Sequence, residues 1–275
     1  MMCEYFGVSR SGFYAWSKRA PSKRQQREAG LVEQVQRIHR QSRGYYGSPR
    51  IKHALQHEGV AVSRSTVARL MRHARLQGRS ARSYRRSRAG QRAFFTSVPN
   101  TARHVLVQRL DQVWVGDVTY LRVAGQWRYL AVVMDKFSRR VIGWSLSAQR
   151  DARLTCEVLA HAWRNRKPQD TLHVHSDRGI EYSAWAYRDK LSRLGMTQSM
   201  NRPGQMNDNA FMESFFHSMK CEALYGQVFH REEDLRETLL SYIQFYNQQR
   251  LHSSLGYRAP ARFEDCVLHS TTVHF

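Results

Sequence analysis

Apolar and polar positions alternate most clearly between residues 113 and 146, where the pattern predicts three consecutive β-strands. The first strand covers 113–123 and is followed by a turn at Gly125-Gln126. The second strand covers 127–134 and the third covers 140–146. Because the connections between them are short, these strands are predicted to form an antiparallel meander.

Helices and strands alternate after this meander. The predicted elements are a helix over 151–165, a strand over 172–175, a helix over 182–194, a short strand over 196–199, a helix beginning after Asn209 and a helix over 232–248. This order is typical of a mixed sheet with helices on its faces. The segment from Tyr246 to Pro260 has no usable periodicity, and we predict that it is extended and packs back on the core.

The N-terminal region has a different pattern of short helices separated by turns. Ser9 is placed to cap one helix, helices follow over 28–41 and 50–57, and Ser63 is placed to cap another. The outward face of the helix after Ser63 carries three arginines, Arg64, Arg69 and Arg72. A short turn between two helices, the second of them basic, is typical of a helix-turn-helix DNA-binding region. The alternative is a plain three-helix bundle with solvated arginines.

Charge favours the DNA-binding interpretation. The formal net charge is +22, and residues 1–100 carry 21 Lys and Arg against four Asp and Glu. Such a concentration is typical of a segment that neutralises phosphates and gains free energy from counterion release. Residues 78–104 lose the apolar pattern, so we predict a basic linker there. A ribosome-type RNA contact and a merely solvated basic surface are the alternatives.

Other classes of protein are disfavoured by the composition. No apolar run approaches membrane-spanning length, and the N-terminus lacks the apolar core of a signal peptide. The four cysteines are scattered without a CxxC pair, which predicts reduced thiols. We therefore expect a cytoplasmic protein with no membrane partner.

Three acidic residues lie on separate predicted elements. Asp117 lies in the first strand, Asp177 follows the strand at 172–175, and Glu213 lies on the helix after Asn209. Taken alone, each has an ordinary interpretation as an ion-pair partner, a turn residue or a helix-surface acid. Together they offer the oxygen ligands that two divalent ions about 3.5–4 Å apart require. Mg²⁺ suits such ligands because it keeps positions for water and phosphate.

Five motifs occur in order along the chain. They are Trp114-Val-Gly-Asp117-Val-Thr-Tyr, Asp135-Lys-Phe-Ser-Arg-Arg-Val-Ile-Gly-Trp144, His175-Ser-Asp177-Arg-Gly, Asp208-Asn-Ala-Phe-Met-Glu213-Ser-Phe-Phe and Tyr246-Asn-Gln-Gln-Arg-Leu-His252. With them the chain resembles the second-frame (OrfB) transposase of a large bacterial insertion-sequence family, whose catalytic core resembles retroviral integrase. The 35 residues between Asp177 and Glu213 match the DD(35)E spacing of that family.

The resemblance implies an α/β fold with four regions. A helix-turn-helix region at 1–77 and the linker at 78–104 would precede a ribonuclease H-like catalytic core with a mixed five-stranded sheet at 105–230. A C-terminal helix and tail at 231–275 would pack on that core.

The resemblance also implies the chemistry. Asp117, Asp177 and Glu213 would be the catalytic and metal-binding triad, holding two Mg²⁺ ions with Mn²⁺ as a substitute. The implied reaction is cleavage and strand transfer at terminal inverted repeats, with water and then a DNA 3′-hydroxyl as nucleophile. Two alternatives stay open: a catalytically silent or incomplete DNA-binding derivative, and a nuclease that cuts without joining.

Partners and DNA contacts follow from the same resemblance. Lys220, seven residues after Glu213, stands where the family places a basic residue thought to touch DNA, and Arg178 is a second candidate. The implied partners are double-stranded DNA of the repeats and target, further copies of the protein on that DNA, and a first-frame (OrfA) protein or upstream extension. The expected location is the bacterial cytoplasm, at the nucleoid when DNA is bound.

Residues near the triad have simpler interpretations. Asp135 is predicted to be a turn residue and Asp208 a helix cap. His175 and Arg178 are predicted to orient their loop or meet phosphate. Three aromatic residues are predicted to belong to the core, namely Trp114, Trp144 and Tyr120.

The chain departs from the family pattern at two places. Gly116 precedes Asp117 where relatives often carry a hydroxyl residue. Glu181 adds a negative charge near Asp177, which bears on the local field and the affinity for metal.

Overall fold

A computed structural model describes residues 2–20, 22–79, 98–203 and 205–272, and the chain divides into two units, residues 1–79 and 80–275. The predicted linker lies largely on residues 80–97, which are outside the described residues. Its last part, residues 98–104, packs against β-strands of the second unit. Each unit is described separately below.

The N-terminal unit is helical. Its helices are α1 (Met2–Tyr5), α2 (Arg10–Ser17), α3 (Lys23–Gln41), α4 (Ser48–His57) and α5 (Arg64–His73). Helices α3, α4 and α5 pack on one another around Val35, Ile51 and Leu70. Ser63 Oγ accepts a hydrogen bond from the Thr66 amide at 3.1 Å and caps α5, as the sequence predicted. The predicted helix-turn-helix arrangement is therefore confirmed.

A five-stranded mixed sheet forms the second unit. Its strands are β1 (Val113–Val123), β2 (Gln126–Asp135), β3 (Val141–Ser147), β4 (His173–Ser176) and β5 (Thr197–Met200). Their order is β3-β2-β1-β4-β5. The first three strands pair antiparallel, which confirms the predicted meander, whereas β1–β4 and β4–β5 pair parallel. The short parallel strands extend the sheet on the side of β1 that leads to Asp177.

In the described part of this unit, six α-helices accompany the sheet. They are α6 (Ala152–Arg166), α7 (Ile180–Ser183), α8 (Trp185–Arg193), α9 (Ala210–Met219), α10 (Glu232–Gln248) and α11 (Pro260–Thr272). Helix α6 lies directly on β3 at Gly143, where an added Cβ would come within 2.8 Å of the Val158 carbonyl oxygen. Helix α9 contacts β1, and α10 contacts β3. None of the helices in the described part of the chain is long and apolar enough to cross a membrane.

Two predicted elements differ in the structure. The helix predicted over 182–194 is interrupted at Ala184, whose extended backbone separates α7 from α8 and lets both short helices turn tyrosines inward. The tail is irregular only as far as residue 259, because Pro260 begins α11. Glu264 is buried on the inward face of α11. Because this inward position is charged, the sequence of α11 does not show the apolar periodicity that predicts a helix.

Candidate active site

The parallel pairing of β1 and β4 brings two acidic residues level with each other. Val115 pairs with His175, so Asp117 and Asp177 each lie two residues beyond a paired position. Asp117 Oδ1 accepts a hydrogen bond from the Val118 amide at 2.7 Å. Asp177 Oδ1 accepts one from the Gly179 amide at 2.9 Å, which tightens the turn after β4. The sequence predicted both positions correctly as a strand residue and a strand-end residue.

The folded chain disfavours the ionised state of both carboxylates. Burial raises the pKa of Asp117 well above its usual range, and the charge of Asp177 raises it further. Burial also raises the pKa of Asp177, and the charge of Glu181 adds to that effect. A bound cation would stabilise both ionised carboxylates at once. Oxygen ligands of this kind are those that Mg²⁺ takes, so this pair fits a divalent metal.

Glu181, where the chain departs from the family pattern, is already neutralised by an arginine. Its side chain is buried, and its Oε1 accepts hydrogen bonds from Arg150 Nε at 2.9 Å and Nη2 at 2.8 Å. The same guanidinium lowers the pKa of Asp117 and Asp177 against the larger effect of burial. Glu181 is therefore ion-paired with Arg150 beside the two aspartates.

Glu213 lies in the first turn of α9 and is half-buried. The apolar face predicted for this helix is confirmed, because four residues are buried, namely Met212, Phe215, Phe216 and Met219. Among residues 98–203 and 205–272, no three acidic, histidine or cysteine side chains are arranged to hold one metal ion. The structure thus brings Asp117 and Asp177 together and leaves Glu213 outside that group.

Asn209 ties the helix of Glu213 to the strand of Asp117. Its Nδ2 donates a hydrogen bond to the Gly116 carbonyl oxygen at 3.1 Å, and its side chain is buried. Asn209 is the N-cap residue of α9 by position, yet its side chain makes no capping bond. The sequence indicated this residue only as part of a motif and gave it no role.

The prediction that Asp208 caps α9 is wrong. Its carboxylate accepts hydrogen bonds from the Arg202 guanidinium at 3.0 and 3.1 Å and from Asn100 Nδ2 at 2.8 Å. The bonds from Arg202 lower the pKa of Asp208 far below its usual range. Asp208 therefore connects the start of α9 to the segments before β1 and after β5. Its carboxylate is bound by Asn100 and Arg202, so it is not available to cap the helix.

Replacing Asn209 by aspartate tests the tie to Gly116. The change removes the donor and faces two oxygens toward each other, so we expect a loss of about 1–3 kcal/mol in the free energy of unfolding. Because Glu213 is displaced as well, catalytic activity should fall at temperatures where the variant remains folded. Asn165→Asp is the control for the change of side chain, since Asn165, which is exposed, donates the same kind of bond from Nδ2 to the Ile142 carbonyl oxygen at 3.0 Å. Equal activity of the two variants would contradict a role in placing Glu213.

His175 and Arg178 organise the loop after β4. His175 is buried, with Nδ1 2.9 Å from Ser199 Oγ and Nε2 2.9 Å from Asn201 Oδ1. Burial lowers the pKa of His175 to about 4, so the ring is neutral at physiological pH. Arg178 donates to the carbonyl oxygens of Asn201 at 2.6 Å and Val98 at 3.1 Å. The loop-orienting role predicted for both residues is confirmed, and a phosphate contact of Arg178 stays a prediction.

Lys220 begins a π-helical segment, Lys220–Leu224, that continues α9. Its Nζ lies 4.9 Å from the centre of the Tyr120 ring.

Of the aromatic residues predicted to be core, Trp114 is fully buried, and Tyr120 and Trp144 are half-buried. Asp135 is the last residue of β2 and begins the turn after it, where its carboxylate accepts a hydrogen bond from the Ser138 amide; a second bond comes from the Asp111 amide.

The π-helical segment rests on a residue that the sequence did not single out. Arg250 is buried and donates to the Glu222 carboxylate from Nε at 2.8 Å and Nη2 at 2.7 Å. Tyr242 Oη donates to the same carboxylate at 2.8 Å. Arg250 belongs to the fifth sequence motif, and this membership was the one available signal.

On the N-terminal unit, the three arginines of α5 are exposed as predicted. Arg69 Nη2 is paired with Glu28 Oε1 at 2.8 Å. Within the described part of the chain, Arg64 and Arg72 have no acidic partner. Their contact with DNA stays a prediction.

Comparison with known proteins agrees with this two-part architecture. Family models described as "Integrase core domain" match residues 108–206 and 194–260, and one described as "HTH-like domain" matches residues 25–84. The transposase InsF for insertion sequence IS3A of Escherichia coli K12 is 38% identical over 273 residues, covering 96% of this chain and 93% of InsF. The IS600 uncharacterized 31 kDa protein of Shigella sonnei is 35% identical over 266 residues, covering 96% and 97%.

Two solved structures show weaker likeness. The simian T-cell lymphotropic virus intasome is 14% identical with a TM-score of 0.48, covering 84% of this chain and 74% of that chain. The HTLV-2 integrase catalytic core domain in complex with magnesium is 16% identical with a TM-score of 0.43, covering 56% and 97%.

A helix-turn-helix-like unit joined to an integrase core, with a ribonuclease H-like mixed sheet, defines a DNA-binding polynucleotidyl transferase. The chain belongs to the IS3 family of insertion-sequence transposases, as its identity to InsF over nearly its whole length shows. Its activity is therefore DNA transposition in the general sense of that family.

Proposed function

We propose that this transposase performs metal-dependent cleavage and strand transfer at the terminal inverted repeats of its insertion sequence. The observation that carries the proposal is the level pair of half-buried carboxylates, Asp117 and Asp177, whose raised pKa values call for a cation between them. Glu213 lies on a helix tied to the strand of Asp117 and is the third proposed member of the site.

Asp117, Asp177 and Glu213 would hold two Mg²⁺ ions, with Mn²⁺ as a substitute. Ions bound there supply a polarised attacking oxygen and stabilise the leaving oxygen of an in-line displacement. The chain's own contribution is placement: β1 and the turn after β4 fix two carboxylates, and Asn209 connects α9, which carries the third, to β1. No serine or tyrosine nucleophile is assigned, because the nucleophiles are water and then a DNA 3′-hydroxyl.

Positively charged side chains would hold the DNA. Lys220 projects from the end of α9, two turns beyond Glu213, and is proposed to meet the DNA end. Arg178 is proposed to approach phosphate beside Asp177. Two element ends must be held at once, so we also propose that copies of the protein associate on DNA. A first-frame protein or upstream extension is a further proposed partner in repeat recognition.

Strand-transfer products test the proposed function. Labelled duplexes that carry the element's own terminal repeats are incubated with the full chain in Mg²⁺, and the products are resolved by length. Joined DNA is the expected result. Cut but unjoined DNA would instead identify a nuclease, and bound but uncut DNA would identify a silent or incomplete derivative.

The helix-turn-helix unit is proposed to read the repeats through α5. Arg64→Gln should weaken binding to a repeat duplex and reduce the slope of log affinity against log salt by about one. Arg37→Gln is the control. Arg37 on α3 carries the same charge as Arg64 but is ion-paired with Glu58, the residue that follows α4. The binding constant is measured over a series of salt concentrations. An unchanged slope for Arg64→Gln would remove this residue from the interface.

A further inference from the structure

Two basic side chains of the second unit lie on one aromatic ring. The turn between β2 and β3 carries Lys136 and Arg139, and α9 carries Phe211. Arg139 Cζ lies 3.8 Å from the centre of the Phe211 ring, and Lys136 Nζ lies 5.2 Å from it. All three residues are half-buried. Two like charges are thus held against the same ring and are partly removed from water.

Among the residues that the structure describes, no acidic side chain forms an ion pair with Lys136 or Arg139, and no oxygen accepts a hydrogen bond from either side chain. The other buried and half-buried arginines of residues 98–203 and 205–272 are each bound by a carboxylate or by carbonyl oxygens, namely Arg128, Arg140, Arg166, Arg178, Arg202 and Arg250. Burial lowers the pKa of both Arg139 and Lys136, and the charge of Arg139 lowers the pKa of Lys136 further. Contact with a ring offsets only about 0.5–2 kcal/mol of the cost of removing a cation from water, so the pair calls for an anionic ligand.

The turn holds both side chains in place before any ligand binds. The Arg139 amide donates to the Asp135 carbonyl oxygen at 2.9 Å, and the Asp135 amide donates to the Arg140 carbonyl oxygen at 2.9 Å. The Lys136 amide donates to the Val113 carbonyl oxygen at 2.9 Å, which fixes the turn to β1. Arg139 has a φ of 63°, in the left-handed region, and residues held in such a conformation are concentrated at binding and catalytic sites. A rigid turn of this kind reduces the entropy lost when a ligand binds.

The pair is attached to the same elements as the proposed triad. Its turn is bonded to β1, and the ring of Phe211 stands two residues before Glu213 on α9. Burial is the main cause of the low pKa of His175, and the charge of Lys136 lowers that pKa further, which requires the ammonium to lie near β4. DNA bound by the second unit therefore brings its phosphates to the region in which this pair is held.

We propose that Lys136 and Arg139 form a binding site for a phosphate of the DNA backbone, with the Phe211 ring as the platform that orients the guanidinium. This inference rests on the proposed function, since the phosphate belongs to the DNA on which the second unit acts. A guanidinium stacked on a ring keeps the N–H donors at its edge available, and two of them match the oxygens of a phosphate group. The lysine adds a point charge. Such a contact sets the position of the DNA strand without reading its bases.

A neutral analogue of the phosphodiester tests this site. Repeat duplexes are prepared with a single methylphosphonate at successive positions, and binding of the full chain is measured in a metal-free buffer over a series of salt concentrations. We expect one position at which the methylphosphonate weakens binding by wild type but not by the double variant Lys136→Gln, Arg139→Gln. On unmodified DNA, the double variant should reduce the slope of log affinity against log salt by about one.

Thermal unfolding separates this role from a structural one. The double variant should unfold at no lower a temperature than wild type, because it removes two half-buried charges that have no counter-ion among the described residues. A double variant that unfolds at a lower temperature, and that keeps the wild-type salt slope and the wild-type response to every methylphosphonate, would show that the two residues only stabilise the fold. That result overturns the inference, and so does an unchanged slope and response at the wild-type unfolding temperature.

Arg193→Gln is the matched control, because Arg193 is an exposed arginine of the same unit and is paired with Asp189 at 2.9 Å. It should keep the wild-type slope and the wild-type response to each methylphosphonate. Failure of this inference leaves the joining of DNA by wild type in Mg²⁺ unaffected. Failure of the proposed function appears differently, as an absence of joined products from a chain whose DNA binding still depends on Lys136 and Arg139.

Discussion

Asp117→Asn and Glu213→Gln are each expected to abolish strand transfer, with a loss of about a thousandfold or more, while binding to repeat DNA is retained. A metal ion contributes several kcal/mol of transition-state stabilisation, and each 1.36 kcal/mol corresponds to a tenfold change in rate. The amides keep the size of the side chains and remove the charge that holds the cation. Binding should persist because the positive charge that meets phosphate lies on other residues.

Asp117→Asn has a second expected effect with the opposite sign. Because burial and Asp177 raise the pKa of Asp117, its ionised form destabilises the folded chain at neutral pH. The amide removes this cost, so the variant should unfold at a higher temperature than wild type in the absence of metal. Loss of function together with a gain in stability separates a site residue from a structural one.

Glu157→Gln is the control for these variants, since Glu157 is an exposed acid on α6. Strand transfer is measured with labelled repeat DNA in Mg²⁺, and binding is measured on the same duplex in a metal-free buffer. If either triad variant joined DNA at the wild-type rate, its residue would have to be removed from the proposed site.

Local signals in the sequence were sufficient for much of the fold. The apolar alternation of β1 and the helix Glu232–Gln248 appear in the structure where they were predicted. The capping serine before α5 is also present as expected. These features depend on neighbours within a few residues, and periodicity and capping chemistry detect such neighbours directly.

Features that depend on distant partners could not be predicted in this way. Asp208 has the composition of a helix cap, yet it binds Asn100, 108 residues away. Glu264 lies on the inward face of α11 because Arg140 Nη1 and Arg166 Nη1 reach it at 2.5 and 2.9 Å. Neither pairing leaves a periodic trace in the sequence. The same holds for the hydrogen bond from Asn209 to Gly116, which connects the start of α9 to β1.

The C-terminal segment contributes an ion pair to the interior of the second unit. Arg250 follows α10 and reaches Glu222 inside the π-helical segment that begins at Lys220. A π-helical turn is less favourable than an α-helical one and persists where surrounding contacts hold it, often at functional sites. The ion pair of Arg250 supplies such a contact, and it fixes the segment from which Lys220 projects.

Arg250→Met is consequently expected to destabilise the chain by about 3–5 kcal/mol, because it leaves the Glu222 carboxylate buried without its cation. Arg250→Lys should restore only part of the loss, since a lysine cannot reproduce the two-pronged contact. Adding Glu222→Leu to Arg250→Met should recover stability, because a buried pair replaced by apolar residues no longer contains an uncompensated charge.

Chemical denaturation gives these free energies directly, and Arg236→Met on α10 provides the comparison. Arg236 is paired with Glu232 at 2.9 Å near the surface and donates to the Leu146 carbonyl oxygen at 2.8 Å, so its replacement should cost about 1 kcal/mol, well below the cost of Arg250→Met. The double variant then separates the effect of the ion pair on the stability of the chain from its effect on the position of Lys220. If the ion pair holds the π-helical segment for Lys220, the double variant should fold well and still bind the DNA end weakly. Full DNA-end binding by that variant would show that the pair stabilises the core alone.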